Sequence, residues 1–98
     1  MEPMANAVPK VATNANSTPV QRAFIRELIS GQDPKSYASH CDVILNMKDP
    51  GFSSIKVPVV ILAGDEDQSA PMAGCEYIHQ HLGSQQKELK VLKGVGHW

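Results

Sequence analysis

Apolar residues recur at helical spacing through the first half of the chain and in unbroken runs through the second. Val20, Phe24, Ile25, Leu28 and Ile29 fall on one stripe of a 3.6-residue period. Thr18 stands before them as an N-cap, Pro19 suits the first helical position, and Gln21 completes a capping box. Gly31 supplies a stop signal. Asp33 and Pro34 repeat the start signal for a second helix, whose apolar face is Tyr37, Cys41, Ile44 and Leu45. On that stripe Cys41 reads as a core residue. Pro50 and Gly51 close this helical half. Ahead of it, Asn and Pro residues interrupt a run of Ala and Val, which allows one short helical turn near Met4 to Val8. The following VATNANST reads as a loop.

The second half changes period. Val57-Pro58-Val59-Val60-Ile61-Leu62 is a continuous apolar run rich in β-branched residues, which predicts a strand buried on both faces of a parallel sheet. A turn rich in carboxylates follows from Gly64 to Ala70. Pro71 opens a third helix ending near Leu82, with Gly83 beyond it. Leu89 to Leu92 is a second short strand, and Gly94-Val95-Gly96 is a tight turn leading to His97 and Trp98. Strand, helix and strand within about 40 residues make a βαβ unit with parallel strands and a right-handed crossover. No internal repeat or low-complexity segment is visible.

Composition narrows the classes of function. The 98 residues are 42% hydrophobic and 19% charged, an ordinary globular balance. A chain of this size buries roughly 65% of its unfolded surface, so its stability is expected to be marginal. Ten acidic and nine basic side chains leave a net charge of -1, which offers no basic field for nucleic acid or an anionic membrane. No apolar run reaches the length of a membrane span, and the first residues lack a secretory pattern. Two cysteines, Cys41 and Cys75, make no disulfide framework, so a reducing, cytoplasmic setting is the default expectation.

The βαβ pattern has a chemical consequence. Both segments that follow the strands emerge at the carboxyl edge of the sheet, where open α/β folds collect ligands. Asp65, Glu66 and Asp67 follow the first strand and His97 follows the second. Neighbouring strands lie about 4.8 Å apart, so a carboxylate of one loop can reach the imidazole of the other. Such a pair orients a histidine as a general base and stabilises its charged form. The residues alone leave three carboxylates for that role. Cys75 and His79 share a helix face, but His81 points elsewhere and no second ligand cluster appears, so a metal site is not expected.

Pro58-Val59-Val60-Ile61-Leu62-Ala63-Gly64-Asp65-Glu66-Asp67 with Pro71, and Val91-Leu92-Lys93-Gly94-Val95-Gly96-His97-Trp98, resemble the acid and histidine segments of α/β-hydrolases. In that family the acid stands three residues after the glycine that ends the strand, which implies Asp67 as the acid and His97 as the base. Their spacing of roughly 30 residues agrees with the family order of nucleophile, acid and histidine. The stretch from Met1 to Asn6, and Arg26 through Asp33-Pro34, Tyr37 and Cys41 to Ile44, is similar to the helical cap of enol-lactonase-like members. The resemblance implies an α/β fragment: a cap segment over residues 1–50 and the C-terminal βαβ portion of a hydrolase core over residues 51–98. It also implies a small carboxylic ester or lactone as substrate, and no metal or organic cofactor. Phe24, Leu28 and Tyr37 are candidates to line the substrate pocket, though packing of the two cap helices against each other is the preferred reading. Trp98 beside His97 is a candidate shield of the site.

The departures from the family are large. No G-x-S-x-G occurs, and Ser53 and Ser54 follow Gly51 and Phe52 in a loop without a second glycine. The resemblance implies that the nucleophile elbow and the oxyanion hole lie upstream of Met1. An acid and a base without those groups cannot run covalent acyl transfer, so the chain alone is expected to be inactive. Two other readings stand beside this one. One is a non-catalytic interaction protein whose helices and sheet edge bind a complementary chain; the other is a truncated gene product.

Overall fold

A computed structural model describes residues 1–98 as four α-helices, one 3₁₀ turn and two parallel strands. Helix α1 spans Glu2–Val11, α2 Pro19–Ser30 and α3 Pro34–Leu45; after a 3₁₀ turn at Phe52–Ser54 come β1 Val59–Gly64, α4 Met72–His81 and β2 Lys87–Leu92. The architecture is mixed α/β.

Where one short turn was expected near the start, α1 runs for ten residues. Met1, Ala5, Val8 and Ala12 repeat at helical spacing and give it one apolar face. Glu2 in its first turn and Lys10 in its last complement the helix dipole. The residues that read as breakers are accommodated. Asn6 points outward and accepts from Arg26 Nε at 3.3 Å. Pro9 falls near the end of the helix, where its missing N–H forgoes one internal bond.

Helix α2 starts as its sequence dictates. Gln21 N donates to Thr18 Oγ1 at 3.2 Å, and Thr18 N donates back to Gln21 Oε1 at 2.8 Å. It ends before Gly31, which keeps a right-handed φ of -77° instead of the left-handed cap its residue type permits. Of its stripe, Ile25 and Ile29 are buried against Ala5, with Met1 and Val8 packed beside them. Arg26 also reaches Glu2 at 2.6 Å.

This corrects the expected pairing of the two cap helices. α2 spends its apolar stripe on α1, and α3 packs against no other element and buries no residue. Phe24 is therefore 64% exposed and Leu28 41%, and Cys41 is exposed, not a core residue. Asp33 still caps α3, accepting from Ser36 N at 2.9 Å.

The strands pair in parallel from Val59 with Lys87 to Gly64 with Leu92. β1 begins after Pro58, which has no N–H to give; Val59 N makes the first bond, to Gln86 O at 3.0 Å. The expectation of burial on both faces is corrected as well. Val59, Ile61 and Ala63 point to the covered side, whereas Val60 and Leu62 are 58% and 64% exposed. The crossover helix α4 covers one face only, and no second layer lies over the other. No helix is long and apolar enough to cross a membrane.

The small α1–α2 core generates a direct stability prediction. Truncating Ile25 to Ala removes a buried side chain and should cost about 2–4 kcal/mol. Truncating its exposed neighbour Phe24 should cost under about 1 kcal/mol. Urea unfolding of the two variants, followed by circular dichroism, measures the contrast.

Candidate active site

The two loops at the carboxyl edge are fastened to each other before any side-chain chemistry is considered. Asp65 N extends the ladder to Leu92 O at 3.1 Å, and Glu66 N donates to Val95 O at 3.0 Å. Gly64 permits that approach: a Cβ there would collide with the Val95 carbonyl and lie 2.7 Å from Gly96 O. Gly94 turns the second loop with a φ of +70°, a conformation that favours glycine.

The three carboxylates of the first loop then divide their tasks. Asp65 Oδ1 accepts from Gly94 N at 2.7 Å, and Glu66 Oε2 accepts from Asn14 Nδ2 at 2.6 Å. Asp67 Oδ2 meets His97 Nδ1 at 2.9 Å, while its Oδ1 accepts from Ser69 N and Ala70 N, both at 2.8 Å. Of the three, only Asp67 faces the imidazole. Burial pushes its carboxyl up, but the hydrogen bonds from Ala70 N, His97 and Ser69 N outweigh that effect. The net result holds Asp67 below the ordinary carboxylate range.

An ionised Asp67 has only acceptors, so Nδ1 of His97 must carry the hydrogen between them. In the neutral ring this leaves the lone pair on Nε2, and Nε2 makes no hydrogen bond within the chain. The side chain of Asp67 is 9% exposed and that of His97 44%. A shielded carboxylate therefore holds an imidazole whose outer edge is open. Such a geometry is one that a general base can use.

His97 lines a cleft of about 390 Å³ together with Leu28, Tyr37 and Trp98. Three of the residues named from the sequence thus share one cavity with the histidine. Phe24 does not; it lines an adjoining cleft of about 240 Å³ with Thr13, Gln21 and Trp98, so Trp98 borders both. The sequence reading missed Val8 and Val11 of α1 and Ala12 just beyond it, which form one wall of the larger cleft. It missed Asn14 too. The four-residue and three-residue spacing of Met1, Ala5, Val8 and Ala12 was the available signal.

No nucleophile engages the imidazole. Ser69 lines the cleft but makes no hydrogen bond to His97. Ser54 Oγ donates to Gly51 O at 2.7 Å, and the 3₁₀ turn that carries it is tied to Gly83 ahead of β2. That is the amino edge of the strands, roughly 20 Å from the carboxyl edge over six residues. No group of three or more His, Cys, Asp or Glu side chains converges as a metal site.

The sequence matches no protein-family model, no curated protein and no solved structure. The chemistry of the site therefore rests on the geometry of its own side chains.

That geometry fixes a pH dependence. The pKa of Asp67 is lower folded than unfolded, so its ionised form favours folding. The contribution is complete above about pH 4 and is lost as pH falls through the depressed folded value. Asp67→Asn should flatten stability against pH below about pH 4. The residual slope would belong to Asp33 and Asp49, which local backbone bonds also hold low. Urea midpoints measured between pH 2 and pH 6 check this.

Proposed function

We propose that this chain carries the acid and histidine of a hydrolase acting on small carboxylic esters or lactones. The nucleophile and the oxyanion donors come from polypeptide outside these 98 residues. One observation carries the reading: the 2.9 Å contact between Asp67 and His97, beside a largely apolar cleft. The resemblance of the two loop segments to the acid and histidine segments of α/β-hydrolases supports it from the sequence side.

In this reading the nucleophile attacks the substrate carbonyl while its proton passes to His97 Nε2. His97 then returns the proton to the departing alkoxide. In the second half-reaction it takes a proton from water, whose oxygen attacks the acyl group; the bond from the acyl carbon to the nucleophile then breaks, His97 returns the proton to the freed nucleophile, and the carboxylic acid leaves. Asp67 fixes the tautomer and stabilises the imidazolium without taking the proton itself. The cleft contributes apolar contact from Leu28 and Trp98 and a phenol from Tyr37. Those groups suit a small, mostly apolar acyl chain. No metal or organic cofactor enters the scheme.

An interaction protein is the second reading, and a specific observation favours it. Val60 and Leu62 lie open on one sheet face, and α3 is without a packing partner. A complementary chain would cover both. A monodisperse monomer of 10.6 kDa that captures no such segment would count against it.

The hydrolase reading is tested by joining the chain to the segment encoded in frame upstream of Met1. That segment should contain a G-x-S-x-G elbow, and the joined protein should turn over 4-nitrophenyl butyrate. The chain alone should show none. Asp67→Asn in the joined protein should lower kcat on the order of 10⁴-fold. Turnover by the chain alone, or full activity in the Asn variant, would contradict the assignment.

A further inference from the structure

Between α1 and α2 the chain passes through a short strap, residues 12–16, laid across the histidine loop. The strap holds that loop on both sides of His97. Ala12 O accepts from Trp98 N at 3.0 Å, one residue after the histidine. Gly94 O, three residues before it, accepts from Asn14 Nδ2 at 2.6 Å and from Asn16 Nδ2 at 3.1 Å. Gly96 is buried beneath the strap, and a Cβ there would press on Ala12 O at 3.2 Å.

Asn14 does more than its neighbour Asn16. Its second amide hydrogen goes to Glu66 Oε2 at 2.6 Å, which fastens the acid loop as well. Its Oδ1 accepts from Asn16 N at 2.9 Å and from Ser17 Oγ at 3.4 Å. Both donors and both lone pairs of the amide are thereby engaged. The orientation of the amide is fixed by the same network, because only the nitrogen can face a carboxylate and a carbonyl together. The residue cannot drift, since its carbonyl accepts from Arg22 of α2 at 2.7 Å.

We propose that Asn14 is a positioning residue: it bridges the acid loop and the histidine loop and sets the separation at which Asp67 holds His97. The idea rests on the hydrolase reading only for the purpose of that separation, not for its existence. Asn14 makes no hydrogen bond to Asp67 or His97. Its effect passes through Glu66, next to Asp67 in the chain, and through Gly94, which anchors the turn before His97. Charge assistance makes the contact with Glu66 the stronger half of the bridge.

The experiment observes the imidazole itself in the 98-residue chain. Ring-nitrogen NMR of His97 reports which nitrogen is protonated, and exchange of the Nδ1 proton with water reports how firmly Asp67 holds it. In the unmodified chain Nδ1 should be protonated and slow to exchange. Asn14→Ala should speed that exchange about tenfold and redistribute the ring between its two tautomers. Glu66→Ala, on an exposed side chain, should produce a shift in the same direction of about threefold. Asn16→Ala should leave the signal close to that of the unmodified chain.

An unchanged imidazole in a folded Asn14→Ala chain overturns the proposal, as does an equal effect from Asn16→Ala. Should Asn14→Ala fail to fold, the Glu66→Ala chain decides, and an unperturbed Nδ1 proton there refutes the bridge. Failure of the joined protein to hydrolyse esters, with the Asn14 effect intact, would instead sink the hydrolase reading alone.

Discussion

Parallel pairing of β1 and β2 is the constraint from which the rest of the site follows. Parallel strands send their trailing loops out of the same edge, whereas an antiparallel pair would send them to opposite ends. The register from Val59–Lys87 to Gly64–Leu92 brings both strands to that edge together. The loops are then close enough to bond backbone to backbone, and Asp67 meets His97 at 2.9 Å. Gly64 makes the approach sterically possible, because any side chain there would strike the histidine loop.

Rigidity is distributed unevenly over this frame. The rim is dense with hydrogen bonds: Asp65 to Gly94, Glu66 to Asn14, Asp67 to Ser69, Ala70 and His97, and Ala12 to Trp98. Elsewhere the structure is loosely committed. The hydrophobic cluster consists of Ala5, Ile25 and Ile29, one face of the sheet is open, and α3 is unsupported. Polar bonding thus holds the site together where a large apolar core would otherwise do so. Most of these rim contacts are open to solvent, so they hold the geometry by their number and by sharing partners across the two loops.

Much of this was legible in the residues, because its causes are local. Thr18-Pro19 with Gln21, and Asp33-Pro34, mark helix starts through bonds within three residues, and both starts occur where they were read. The apolar, β-branched-rich run from Val59 to Leu62 and the glycines at or beyond each strand end sufficed for the βαβ unit. The carboxyl-edge rule then placed a carboxylate beside His97. What escaped depends on contacts distant in sequence. The partner of α2 is α1, whose Pro9 and Asn6 disguise a regular apolar spacing. Burial of Val60 and Leu62 depends on what lies over the second face, which no periodicity within β1 encodes. Division of labour among Asp65, Glu66 and Asp67 depends on Asn14 and Gly94, 52 and 29 residues away from their partners.

The pairing of Asp67 with His97 can be measured without reference to any activity. In a double-mutant cycle, Asp67→Ala, His97→Ala and the combined variant are each compared with the unmodified chain by urea unfolding at pH 7. Residues in direct contact are coupled, and the exposure of His97 moderates the value, so the expected coupling is about 1 kcal/mol in favour of the pair. Additive losses, with no coupling between the two sites, would contradict the common rim on which this account depends.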